Sequence, residues 1–144
     1  MLIDSGHVVN ELREKCPNNL TASMLRDGVK PEEIGLIINT HSHADHCEAN
    51  RALAQMGSES GTDGSRALIT ISKIEEEYRR TIGEKLHTML GLSVEFEPDF
   101  YLQEGELNLG QGDKRISLQI IHTPGHSPGS ISIYWPPNKV LITG

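Results

Sequence analysis

Aromatic side chains are scarce in this chain of 144 residues, which holds one Trp, three Tyr and two Phe. Hydrophobic residues reach only 36%, low for a soluble domain that must close its own core. The length suits one domain with a modest core, and the low apolar share hints that part of that core lies elsewhere. Basic charge is short as well. Thirteen Lys and Arg face twenty Asp and Glu, a formal net charge of -7. This argues against a nucleic-acid partner, because phosphate binding wants basic stripes. Cysteine is limited to Cys16 and Cys47, which read as two free thiols of a reducing compartment. No signal peptide is visible, and no apolar run is long enough to cross a membrane. The expectation is therefore a cytoplasmic protein with no membrane partner.

Against these shortages, one stretch is dense in chemistry. The apolar run Leu36-Ile37-Ile38 leads through Asn39-Thr40 into His41-Ser42-His43-Ala44-Asp45-His46. Four side chains of metal-ligand type fall within six residues. If residues 41–43 stay extended, side chains two apart share a side, so His41 and His43 can reach one ion. A chain turning into a helix would aim Asp45 and His46 differently, towards a second ion beside the first. Imidazole with carboxylate suits zinc, and also iron or manganese.

The rest reads as alternating strands and helices, which favours α/β or α+β layers. Residues 1–6 resemble the end of a strand, with its partner expected before the chain begins. A short helix is expected over 20–26, stopped by Asp27-Gly28. Pro31-Glu32-Glu33-Ile34 suits one helical turn. Leu36-Ile37-Ile38 suits a strand buried on both faces. A helix is expected over 48–56, an exposed loop over 57–65 and a strand over 67–71. Ser72-Lys73-Ile74-Glu75 is a capping-box pattern opening a helix to about residue 90. On that helix Glu75 with Arg79, and Glu76 with Arg80, read as pairs on a solvated charged face. His87 has nothing of metal spacing around it, and His7 reads as a solvated loop residue; neither is expected to be a ligand. Glu104-Gly105-Glu106 reads as a hairpin turn. A half-buried strand is expected over 115–122, a stiff loop over 123–130, then two strands, 131–135 and 140–143, joined by a Pro136-Pro137-Asn138-Lys139 turn.

Four pieces in order carry a family likeness: Leu2-Ile3-Asp4-Ser5-Gly6, Thr40-His41-Ser42-His43-Ala44-Asp45-His46, His122-Thr123-Pro124-Gly125-His126-Ser127-Pro128-Gly129-Ser130 and Leu141-Ile142-Thr143-Gly144. Together they resemble the metallo-β-lactamase superfamily in its glyoxalase II-like style. The resemblance implies an α/β (αββα) four-layer sandwich, two mixed sheets face to face with helices outside, and residues 1–144 as a partial domain of that fold. It implies that His41, His43 and His126 bind a first ion and that Asp45 and His46 belong to a second. Pro124 would stiffen the approach to His126, and Gly125 would permit a turn that a bulky residue resists. His122 reads as support. The family's bridging Asp would follow Gly144 and a further His would come later, so the sequence resembles a piece of a longer protein. At most one tightly held ion at the first site, little or no hydrolysis, and self-association through uncovered sheet surface are expected of such a piece.

The activity implied is hydrolysis of a thioester, ester or amide of a small-molecule substrate by metal-activated water, with zinc as the expected metal in one or two copies. Asp45 is the catalytic residue implied, orienting the nucleophile and handling its proton. Two alternatives stand beside it: an iron enzyme oxidising persulfides, and an inactive metal-binding piece.

Overall fold

Leu36-Ile37-Ile38 forms β2, and all three residues are buried. In the computed structural model, which describes residues 1–57 and 66–144, β2 is an inner strand of a parallel sheet. The order is β1 (Leu2–Ile3), β2, β3 (Leu68–Ser72) and β4 (Phe100–Leu102). Leu2 and Ile3 pair with Ile37 and Ile38, so the opening strand finds its partner later in the chain. Parallel strands need crossovers. These are α1 (Cys16–Arg26), then α2 (Ala44–Cys47) with α3 (Asn50–Met56), then α4 (Lys73–Tyr78) continuing through a wider π turn (Arg79–Gly83) into α5 (Glu84–Met89). A second, antiparallel sheet follows in simple order: β5 (Gly105–Leu109), β6 (Ile116–His122), β7 (Ile131–Trp135) and β8 (Val140–Ile142). Among the described residues no helix is long and apolar enough to cross a membrane.

Two apolar clusters hold these layers together. Ile37, Ile69 and Ile71 pack with Leu53, Ala49, Cys47 and Phe96 between the parallel sheet and the helices. Leu36, Ile38 and Leu102 pack with Leu118, Ile120, Ile131 and Ile133 between the two sheets. Ile37 and Ile38, neighbours on one strand, serve opposite cores because side chains alternate along a strand. The far face of the antiparallel sheet carries Glu106, Asn108, Gln119 and Leu141, all exposed. The described residues thus supply three of the layers of an αββα sandwich. Each sheet is pure, one parallel and one antiparallel, rather than mixed.

Several local expectations shift. The first helix starts at Cys16, four residues early, with Pro17 tolerated in its first turn. The helix expected over 48–56 begins instead at Ala44 and is interrupted at Glu48-Ala49. The expected loop over 57–65 lies outside the described residues except for Gly57, which is buried. Glu104-Gly105-Glu106 is not a hairpin turn. β4 pairs with β3 and β5 with β6, so this stretch carries the chain from one sheet to the other.

The helix after β3 departs most from expectation. Glu75, Glu76 and Arg79 are buried at 0%, 3% and 8% exposure, while Ile74, Ile82 and Leu86 stand 42–57% exposed. Arg79 does not pair with Glu75. It forks onto Glu76 at 2.7 and 2.8 Å, donates to the carbonyls of Val94 and Phe96, and lies over the Phe96 ring. Burial opposes the charge on Glu76, but hydrogen bonds from Arg79 and Arg80 outweigh it and lower its pKa. The polar face turns inward because it satisfies the irregular 93–97 segment, whose carbonyls have no strand to pair with. Breaking a buried pair leaves an uncompensated charge, so Glu76→Ala should cost about 3 kcal/mol or more in urea unfolding. A change under about 0.5 kcal/mol would return this face to solvent.

Candidate metal centre

β2 ends at Ile38, and the chain stays pinned beyond it. Asn39 donates from both its backbone and its side chain to the Thr70 carbonyl, and Ile131 donates to the Thr40 carbonyl. His43 is extended, with φ -69 and ψ 149, and caps α2. The rings of His41 and His43 come together edge to face, their centroids 4.9 Å apart. From the other side, the 123–130 loop between β6 and β7 delivers His126. Gly125 turns it at φ 154, a conformation that L side chains rarely adopt. His122 Nε2 meets the Pro128 carbonyl at 3.1 Å, bracing the loop as its expected supporting place suggested.

These two loops bring His41, His43 and His126 together. One ring nitrogen from each lies within 4.8 Å of the others. His41 is buried, His43 half-buried and His126 exposed, so the cluster opens to solvent on one side. The chemistry of the donor set fits a metal ion. His41 Nε2 is buried without a hydrogen-bond partner, and such orphans are costly unless something else meets them. His43 Nδ1 and His126 Nε2 face each other at 2.9 Å. Two imidazole lone pairs at that distance repel unless a proton or a cation lies between them.

Asp4 organises the inner wall. Its Oδ1 accepts from the Thr40 amide, and its Oδ2 accepts from the Thr40 hydroxyl and from His46 Nδ1, all at 2.8 Å. The Thr40 hydroxyl proton is used on the carboxylate. Its oxygen, 3.1 Å from His41 Nδ1, must then accept from that nitrogen. This assigns the proton of neutral His41 to Nδ1 and leaves the Nε2 lone pair free. Asp4 holds a left-handed backbone, φ 55, which Asp tolerates better than most residues. Its place in the motif Leu2-Ile3-Asp4-Ser5-Gly6 does not by itself reveal this role. The available signal was a carboxylate closing an apolar strand just before Ser5-Gly6.

Asp45 and His46 stand beside the three histidines as a pair. His46 lies 4.0 Å from His41 between ring centroids, and its Nε2 is 3.5 Å from Asp45 Oδ2. The Asp45 side chain is 60% exposed. Cys47 points into the core, donating to the Ser42 and His43 carbonyls, and burial pushes its thiol pKa well up. Both cysteines are free. His87 is buried and is not one of the three convergent histidines, though the charge of His43 reaches it. His7, expected in solvent, pairs with Glu48 at 3.0 Å. A cleft under α5 is lined by Arg79, His87, Thr88 and Phe96 rather than by the histidine cluster.

With this geometry in place the family can be named. The model of the metallo-beta-lactamase superfamily matches residues 1–58 and 61–144, and the chain belongs to that superfamily. It is 32% identical over 124 residues to a hydroxyacylglutathione hydrolase of Mesorhizobium japonicum, covering 86% of this chain and 37% of that protein. It is 27% identical over 141 residues to an N-acyl homoserine lactonase of Bacillus cereus, covering 96% and 48%. The chain thus spans half or less of these relatives. Among solved structures, TTHA1623 in a di-iron-bound form aligns with TM-score 0.67 at 25% identity, covering 99% of this chain and 59% of that one. The FEZ-1 metallo-beta-lactamase of Legionella gormanii aligns with TM-score 0.70 at 18% identity, covering 92% and 46%, and shares the fold.

The histidines differ in charge preference. Burial first, then the charges of His46 and His43, lowers the His41 pKa from 6.5 to about 4. Burial and His126 lower that of His43, whereas the hydrogen bond to Asp4 raises that of His46. For metal-free protein, the His41 contribution is fully present above pH 6.5. It is lost as pH falls towards 4, because the unfolded chain takes up the proton first, and amounts to about 3 kcal/mol. His46 acts oppositely, stabilising at low pH and losing its contribution as pH rises through its raised pKa. Urea unfolding between pH 6.5 and 4 should therefore show a shallower pH slope in His41→Gln than in wild type. Identical slopes would mean that His41 titrates normally.

Proposed function

We propose that this chain carries the metal-holding half of a metal-dependent hydrolase, with zinc at His41, His43 and His126. The observation supporting this most is the convergence of three imidazole nitrogens, one of them buried and unpartnered. A bound divalent metal would lower the pKa of water towards neutrality and polarise a substrate carbonyl. The residues supply the rest. Asp4 and Thr40 hold the His41 proton on Nδ1, so that the imidazole offers its lone pair. Asp45, exposed at the rim beside His46, would orient a water and receive its proton. Asp45 with His46 would contribute to a second ion. The exposed His126 leaves the cluster open to a small-molecule substrate. A thioester, ester or amide fits, and the likeness to a hydroxyacylglutathione hydrolase favours the thioester. The acidic balance favours such a substrate over nucleic acid.

Metal analysis and a panel of thioester, lactone and β-lactam substrates test this reading on the full-length protein. His41→Ala and His126→Ala should each lose most bound metal and at least about 100-fold in activity, more than outer-shell changes cost. His87→Gln should keep its metal content per folded molecule. Full metal content in both ligand variants would overturn the assignment. The 144-residue chain should hold at most one tightly bound ion, and two per chain would show that other residues complete the second site.

A further inference from the structure

Glu75 is fully buried, and its carboxylate is shared between the two loops that carry the histidines. Oε1 accepts from the Ser42 amide at 2.9 Å and the Ser42 hydroxyl at 2.7 Å. Oε2 accepts from the Ser127 hydroxyl at 2.7 Å and the Gly129 amide at 2.9 Å. Ser42 lies between His41 and His43, and Ser127 directly follows His126. One oxygen thus holds the first loop and the other holds the second. All four partners donate, which suits an acceptor-only carboxylate and makes each bond charge-assisted.

The surroundings are shaped for this contact. The Ser72 hydroxyl accepts from the Glu75 amide, which caps α4, and donates to the Gly129 carbonyl at 2.7 Å. The start of α4 therefore grips Gly129 by its carbonyl and its amide at once. A Cβ at position 129 would lie 2.2 Å from the Glu75 nitrogen, so only glycine fits. The expected capping box is half made. Ser72 caps the helix, while the Glu75 carboxylate leaves its own helix to reach across the site. Arg79, one turn on, is engaged by Glu76 instead.

We infer that Glu75 is a positioning residue, a buried clamp that sets the distance between the His41/His43 loop and the His126 loop. The inference rests on the metal-site reading above. Glu75→Gln keeps the shape but not the chemistry. Its single oxygen can serve one loop, and its NH2 then faces donors on the other, where a backbone N–H cannot turn round. That loop is released, and His126 no longer holds its place against His41 and His43.

The test is cobalt titration of the metal-free full-length protein, followed by visible absorption and competition with a chelator. Glu75→Gln should weaken cobalt binding about 10- to 100-fold, the range typical for residues that orient metal ligands. It should also change the absorption bands that report coordination geometry. Glu75→Asp, which keeps the charge, should recover part of both. Glu76→Gln is the control, because that carboxylate holds Arg79 on the same helix and touches neither histidine loop. It should lower thermal stability and leave cobalt affinity and spectrum as in wild type. If Glu75→Gln does not fold, Ser127→Ala, which removes one donor from Oε2, should show a smaller shift in the same direction. Wild-type affinity and spectrum in Glu75→Gln or, failing it, in Ser127→Ala would overturn the clamp alone. So would equal losses in Glu75→Gln and Glu76→Gln. Wild-type protein that takes up no cobalt would overturn the metal reading and the clamp with it.

Discussion

Parallel pairing of three short strands is the constraint on which the site depends. Ile3, Ile38 and Thr70 stand in register across β1, β2 and β3. These strands run in one direction and end at one rim. Asp4, the 39–46 loop and Ser72–Glu75 all leave from that rim. Open sheets of this kind collect their chemistry beyond the carboxyl ends of the strands, where successive loops meet. The antiparallel sheet is tied to this rim where the Ile131 amide donates to the Thr40 carbonyl. That bond, with the hold of Ser72 and Glu75 on Gly129 and Ser127, places the 123–130 loop, and with it His126, against the rim.

Two buried or half-buried acids, Asp4 and Glu75, then do complementary work around the imidazoles. Asp4 acts on protons, fixing which nitrogen of His41 is free and favouring charge on His46. Glu75 acts on spacing, with each of its oxygens held by a different loop. Neither competes with the histidines for an ion, because their oxygens are already occupied by the donors that surround them. A carboxylate satisfied by several donors is well tolerated in a protein interior, and in such a place it also makes the surroundings rigid.

Local signals served where the physics is local. Leu36-Ile37-Ile38 is a continuous apolar triplet and is buried on both faces. The alternation at Leu118 and Ile120 gave a half-buried strand. The same kind of signal misled at Glu104-Gly105-Glu106, because a turn motif does not say which sheet each flanking strand will join. It misled again at Glu75, Glu76 and Arg79. Spacing of four on a helix marks residues as neighbours, but solvent was assumed on their side. The 93–97 segment and both histidine loops lie there instead, and their backbone groups recruited the charges.

The chain's own order thus determined the ingredients: the strand before the histidines, the two-residue step that puts His41 and His43 on one side, the Thr-Pro-Gly-His loop, and the superfamily. The first three follow from covalent spacing and side-chain alternation, which hold wherever the segment goes, and the superfamily from the likeness of those motifs taken together. Tertiary structure decided that His126, 83 residues after His43, comes within 2.9 Å of it, that Asp4 directs the protons, and that Glu75 joins the two loops. Each of these depends on which groups long-range packing brings within hydrogen-bond reach, and short-range pattern carries no record of that.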